Sequence, residues 1–180
     1  VEKVLSHTAE PSRMTLLRPD DLRGYAAALL QAGGYTQAHA DRTADILVWA
    51  NARGANSHGV LRIPRYIEMA QQGLINPTAK PEVVTQDGAM GVIEAARAPG
   101  PSAMVAAMDT AIEIAGRCNI GWCSARNITH SGAVGYFALR AAERGCIGIV
   151  MTASGPLMAY HGARVSGLST NPIAISAPSQ

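Results

Sequence analysis

The stretch Asn56-Ser57-His58-Gly59-Val60-Leu61-Arg62-Ile63-Pro64-Arg65-Tyr66 puts a histidine, an arginine and a tyrosine within two helical turns. Histidine is the side chain whose proton is loosest near neutral pH. A guanidinium is a natural fork for a carboxylate. A proton carrier beside a carboxylate clamp is what chemistry on a small 2-keto or 2-hydroxy acid needs.

A second stretch, Asn127-Ile128-Thr129-His130-Ser131-Gly132-Ala133-Val134-Gly135-Tyr136, follows an expected strand and opens an expected helix. Backbone amides and the helix dipole there suit an anion. Its glycines are not spaced as GxGxxG, and no acidic residue follows Glu143. A Rossmann site needs that spacing and a carboxylate for the ribose, so a dinucleotide bound here is held differently. A third stretch, Gly167-Leu168-Ser169-Thr170-Asn171-Pro172-Ile173, places hydroxyl and amide donors in a loop stiffened by proline.

These residues need elements to hold them. Pro19-Asp20-Asp21 begins an expected helix with Leu22, Ala26, Leu29 and Leu30 on one stripe, ended by Gly33-Gly34. Thr36 is the expected N-cap of a second helix running to about Arg53. Pro64 fits only the first turn of a third helix, which leaves His58 in a loop or single turn. Val83-Val84 and Met90 to Ile93 around Asp87-Gly88 read as a hairpin. A helix from Met104 to Arg117, with Ser102 as a possible cap, leads to a strand over Ile120 to Ala125. A helix over Ala133 to Arg144, a strand over Cys146 to Met151 and another over Asn171 to Ala177 complete the pattern. The fold class expected is mixed α/β: a helical layer over 1–75, then a mixed, largely antiparallel sheet with helices over 76–180, not a Rossmann fold. Residues 1–14 carry no periodic signal and read as a loose leader.

Composition narrows the function classes. Of 180 residues, 48% are hydrophobic and 16% charged, which fits an extensive interior or subunit interface rather than disorder. The net charge is +2 and the basic residues are scattered, so a nucleic-acid partner is not expected. No apolar run reaches membrane-spanning length and Val1-Glu2-Lys3 does not begin a signal peptide, so no membrane association is expected. Cys118, Cys123 and Cys146 lie among apolar neighbours, which reads as packed, reduced thiols in a cytoplasmic protein. His7 and His39 belong to no motif and read as surface residues, and His161 as structural.

Taken together, the three stretches resemble the malate/L-lactate dehydrogenase family, which is unrelated to the Rossmann-type lactate and malate dehydrogenases. The resemblance is carried by Ser57-His58-Gly59, Arg62, Pro64-Arg65-Tyr66, Asn127 to Gly132 and Thr170 to Ile173. Gly73 to Pro77 and Ala141 to Gly145 also match. It covers about residues 20–178 and roughly the first half of the family's pattern. It implies hydride transfer between NAD or NADP and the C2 carbon of a small 2-keto or 2-hydroxy acid, in a homodimer. Arg62 would hold the substrate carboxylate, with Ser57 and Tyr66 lining the pocket. His58 or His130 would carry the proton, with His58 favoured by its nearness to Arg62. His130, Ser154, Thr170 and Asn171 would face the cofactor. Ser131, Ala153 and Ser169 depart from the aromatic, Asn and Gly common at those positions.

Two other classes compete. A metal-dependent hydrolase could draw on His58, His130 and His161, but no HxH or HExxH spacing supports it, and no metal is expected. A truncated half acting only as an assembly partner is the other.

Overall fold

The computed structural model describes residues 16–179, so the expected leader and His7 lie outside the described residues. Three α-helices come first among the described residues: α1 (Pro19–Ala32), α2 (Gln37–Asn51) and α3 (Ile63–Gln71). The boundaries follow local chemistry. Thr36 caps α2 by accepting the His39 amide at 3.3 Å, and a proline stands in the first turn of both α1 and α3. Between α2 and α3 the chain makes two single turns of 3-10 helix, Asn56–His58 and Val60–Arg62.

The α/β part follows. Strands β1 (Glu82–Asp87) and β2 (Met90–Glu94) pair antiparallel about the Asp87-Gly88 turn. Helix α4 (Gly100–Cys118) then crosses back to β3 (Trp122–Arg126), which pairs parallel with β2. A parallel neighbour needs such a crossover, and a helix supplies it. Helix α5 (Gly135–Ala142) leads to β4 (Gly148–Met151), which pairs antiparallel with the last strand, β7 (Ile173–Ser176). Between them β5 (Met158–Ala159) and β6 (Ser166–Leu168) form a small antiparallel ribbon. The fold is mixed α/β with one parallel and three antiparallel pairings, as the sequence led us to expect.

Two buried clusters share α2. Ala40, Ala44 and Leu47 face α1 and α3, where Leu30, Ile63 and Tyr66 meet them. Ile46 points the other way, toward Val105 of α4, Phe137 of α5 and Val150 of β4. Buried on two sides, α2 keeps a polar edge at Gln37, Asp41 and Arg42, and its many alanines let neighbours approach closely.

Three expectations are corrected. His39 is not a surface residue but only 6% exposed. Its Nε2–H donates to the Ala79 carbonyl at 2.9 Å, and its Nδ1 accepts from the Ser102 hydroxyl at 2.7 Å. Ser102 is therefore committed to His39 and does not cap α4. That helix starts two residues earlier, at Gly100, whose amide donates to Thr129 Oγ1 at 2.9 Å. The cap comes from a distant loop. The thiols are not uniformly packed either: Cys118, at the exposed end of α4, faces solvent, while Cys123 and Cys146 are half-buried.

Candidate active site

His58 ends the first 3-10 turn and Arg62 ends the second, so one short bend carries both. Arg62 folds back on that bend: its Nε–H donates to the Ser57 carbonyl at 2.6 Å. One face of the guanidinium is thereby fixed, and the described residues give its terminal nitrogens no carboxylate partner. The Ser57 hydroxyl lies 3.0 Å from His58 Nδ1.

His130 reaches the same place from the other half of the fold. Its loop leaves β3 and passes under the start of α4, where Thr129 Oγ1 donates to the Ala98 carbonyl at 3.1 Å. The fit is close: a Cβ on Gly100 would lie 2.1 Å from the His130 carbonyl oxygen. The His130 and His58 rings stand 5.7 Å apart, centroid to centroid, tilted by 32°. Tyr66, one turn into α3 and 3% exposed, sets its hydroxyl 2.7 Å from His130 Nδ1. The Gly132 amide also donates to Nδ1, at 3.3 Å, from a left-handed turn (φ +84°) that only glycine adopts freely. With an N–H already directed at it, Nδ1 must be the lone-pair nitrogen. The ring proton of neutral His130 therefore sits on Nε2.

Arg62 is the charge that acts on both imidazoles. His130 is pushed down to about 4, chiefly by burial and then by Arg62 and His58. His58 is lowered from its ordinary value by burial and by Arg62. Burial raises the Tyr66 phenol well above its usual range, so it remains a donor. Two imidazoles thus face each other beside an uncompensated guanidinium, an arrangement that favours an incoming anion.

Five of the residues expected from the sequence converge here: Ser57, His58, Arg62, Tyr66 and His130. Tyr66 enters through its hydroxyl on His130 rather than as an exposed pocket wall. The other three belong to a separate loop pair beyond β4 and before β7. Ser154 donates its amide to Ser169 Oγ at 3.2 Å and shares a 2.7 Å hydroxyl contact with it. Thr170 and Asn171 are exposed on the same loop, Asn171 with φ +39°. His161 is exposed as well. Residues that sequence reasoning missed include Asn51 and Thr129. Asn51 Oδ1 accepts the Val60 amide at 2.8 Å, and its Nδ2 donates to Asn56 Oδ1 at 2.8 Å. Only their places in the folded chain show these contacts. Two cavities open elsewhere, one beside Trp49 and Tyr136 and one between α1 and α3, and neither is lined by His58 or His130. Both imidazoles are instead half-buried at an open surface. Among the described residues, no group of three or more His, Cys, Asp or Glu side chains is placed to hold a metal ion, and no helix is long and apolar enough to cross a membrane.

Comparison with known proteins gives this arrangement a context. The chain is 37% identical over 161 residues to a malate dehydrogenase of Pyrococcus abyssi, a match covering 89% of this chain and 44% of that one. It is 36% identical over 160 residues to a 2,3-diketo-L-gulonate reductase of Salmonella newport, covering 89% and 48%. The solved structure of malate dehydrogenase from Pyrococcus horikoshii superposes with a TM-score of 0.87 at 37% identity, over 92% of this chain and 48% of that one. The chain thus spans about half the length of the relatives it matches. The family model for malate/L-lactate dehydrogenase matches residues 17–180, and the chain belongs to that family.

Proposed function

We propose that this chain is the first half of an oxidoreductase that interconverts a small 2-keto acid and its 2-hydroxy acid using NAD or NADP, and that it carries the substrate side and part of the cofactor side. One observation carries the reading: His58, His130 and Arg62 meet at one surface although His130 lies 72 residues beyond His58 in the chain. The names of the relatives, dehydrogenases and a reductase of small acids, agree with it.

In this reading the terminal nitrogens of Arg62 take the substrate carboxylate while Nε holds to the Ser57 carbonyl. Burial and then Arg62 depress His58, and the bound carboxylate offsets the Arg62 part, so His58 gains basicity from that charge as substrate arrives. The nicotinamide, when bound, supplies the hydride. Negative charge then develops on the keto oxygen, and His58 gives that oxygen its proton. His130 remains neutral and offers Nε2–H to the same oxygen or to the cofactor amide. The Gly132 amide fixes which nitrogen of His130 carries the proton, and the Tyr66 hydroxyl adds a second donor to the other. Ser154, Thr170 and Asn171 would hold the cofactor, for which an exposed set of hydroxyls and one amide is a fitting set of donors and acceptors. A boundary near residue 75 between the substrate side and the cofactor side, a homodimer and a cytoplasmic setting belong to the same proposal.

The test is a panel of 2-keto acids with NADH and with NADPH, run on this chain and on a longer version carrying the family's second half. Cofactor oxidation with at least one 2-keto acid is expected from the longer version. If neither version turns over any member of the panel, the reading fails. The second reading, a non-catalytic half, is favoured by the half-length coverage alone. It would show as activity in the longer version together with no response of this chain's melting temperature to NADH.

A further inference from the structure

We propose that Asn51, the last residue of α2, is the positioning residue that aims His58 and Arg62. The proposal rests on the reading above of those two as the reacting pair, but its first test does not depend on turnover.

The side chain of Asn51 reaches past the end of its helix to the bend. Its Oδ1 accepts the Val60 amide at 2.8 Å and its Nδ2 donates to Asn56 Oδ1 at 2.8 Å. Those contacts grip the bend on either side of Ser57-His58-Gly59. Gly59 lies against the same amide, so close that a Cβ there would sit 2.2 Å from Oδ1 and 2.4 Å from Cγ. The backbone of Gly59 is ordinary extended chain, φ −92° and ψ −160°, which any residue adopts. Position 59 is therefore glycine because Asn51 occupies the space, not because the turn demands it. The grip continues to Arg62, whose amide donates to the Gly59 carbonyl at 3.0 Å and whose Nε–H donates to the Ser57 carbonyl. One planar amide at the end of α2 thus fixes the Gly59–Val60 peptide, one residue beyond His58, and the start of the turn that ends in Arg62. Buried on both sides, α2 is a rigid base from which to do this.

Four variants test it: Asn51→Ala, Asn51→Asp, Gly59→Ala, and Asn51→Ala with Gly59→Ala. The first readout is the NMR titration of the His58 imidazole without substrate. Freed from its grip, His58 should move toward the ordinary histidine value in Asn51→Ala. The second is oxaloacetate reduction with NADH, or reduction of whichever 2-keto acid the panel identifies. Turnover in Asn51→Ala should fall about tenfold or more, because small misplacements of reacting groups are costly. Asn51→Asp keeps an acceptor for the Val60 amide and should restore most of that loss. The third is coupling. Gly59→Ala should be about as damaging as Asn51→Ala alone, yet add almost nothing when Asn51 is already alanine, since the obstructing amide is gone. Unchanged His58 titration in Asn51→Ala would overturn the proposal, and so would simple additivity of the two alanine changes. Should no 2-keto acid be reduced, the assignment of function fails, and the titration and the coupling of melting temperatures still decide the role of Asn51.

Discussion

The Tyr66 hydroxyl lies 2.7 Å from Nδ1 of His130, joining a residue buried in the helical layer to one held on the α/β side. The bond leaves the other ring nitrogen, Nε2, as the one that can donate outward. Replacing Tyr66 by Phe removes the donor without removing the ring that packs beside Ile63 and Leu47. We expect a loss of about 1 kcal/mol in stability, the usual net worth of one hydrogen bond. Turnover should fall only a few-fold, because the Gly132 amide still points its N–H at Nδ1 and keeps the ring proton on Nε2. Nitrogen NMR of the His130 ring, alongside kcat, measures both.

Arg62→Lys keeps the charge and loses the fork. The Nε bond to the Ser57 carbonyl also disappears, so the new ammonium is no longer tied to the bend. KM for the 2-keto acid should rise about tenfold or more, with kcat changing less. A fall confined to kcat, with KM unchanged, would move the carboxylate to another residue.

His58 should set the pH dependence of reduction. Its pKa lies below the ordinary value because burial and Arg62 both disfavour the charged ring. Reduction consumes the proton, so kcat/KM should be high at low pH and decline as pH rises through that lowered pKa. Oxidation of the hydroxy acid should show the opposite slope. His58→Ala should flatten both profiles and lower turnover by about a hundredfold or more. If the slope survives in His58→Ala, His130 is the proton carrier.

Stability should fall on the acid side. His39 and His130 both have folded-state pKa values below the unfolded one, His130 at about 4, so the unfolded chain binds more protons in that range. Their contribution is complete above about 6.5, the free histidine value, and fades as pH drops toward 4. Melting curves across that window should track it. Ser102→Ala leaves the His39 Nδ1 without its donor and should cost about 1–3 kcal/mol at neutral pH.

Local rules made much of this legible in the sequence. The Thr36 cap, the Pro64 start and the Asp87-Gly88 turn each depend on a few neighbouring residues, and each stands where it was expected. The convergence of His58, Arg62 and Tyr66 with His130 was implied by the family resemblance, whereas spacing alone could not bring position 130 to position 58. What escaped depends on partners far along the chain. His39 looked like a surface residue because its partners, Ala79 and Ser102, lie 40 and 63 residues away. Ser102 looked like a cap because serine often is one, but Thr129 took that place from across the fold. Asn51 carried no signal, because an amide at a helix end gains meaning only when a turn is folded against it.

Helix α5 and the β4–β7 ribbon depend on each other in a way that bears on how the protein opens. A two-stranded ribbon is marginal alone. Here the strands meet face to face through Ile149 with Ile175 and Met151 with Ile173, yet those side chains are at least half exposed. The ribbon's hold on the rest of the molecule comes from its other side, where Val150 packs with Phe137 and Ala138 of α5. Amide protons in α5, β4 and β7 should therefore exchange with solvent together, sooner than those of α2. Because His130 is tied to the start of α4 and to Tyr66 of α3 rather than to α5, that unit could breathe while both imidazoles keep their seats.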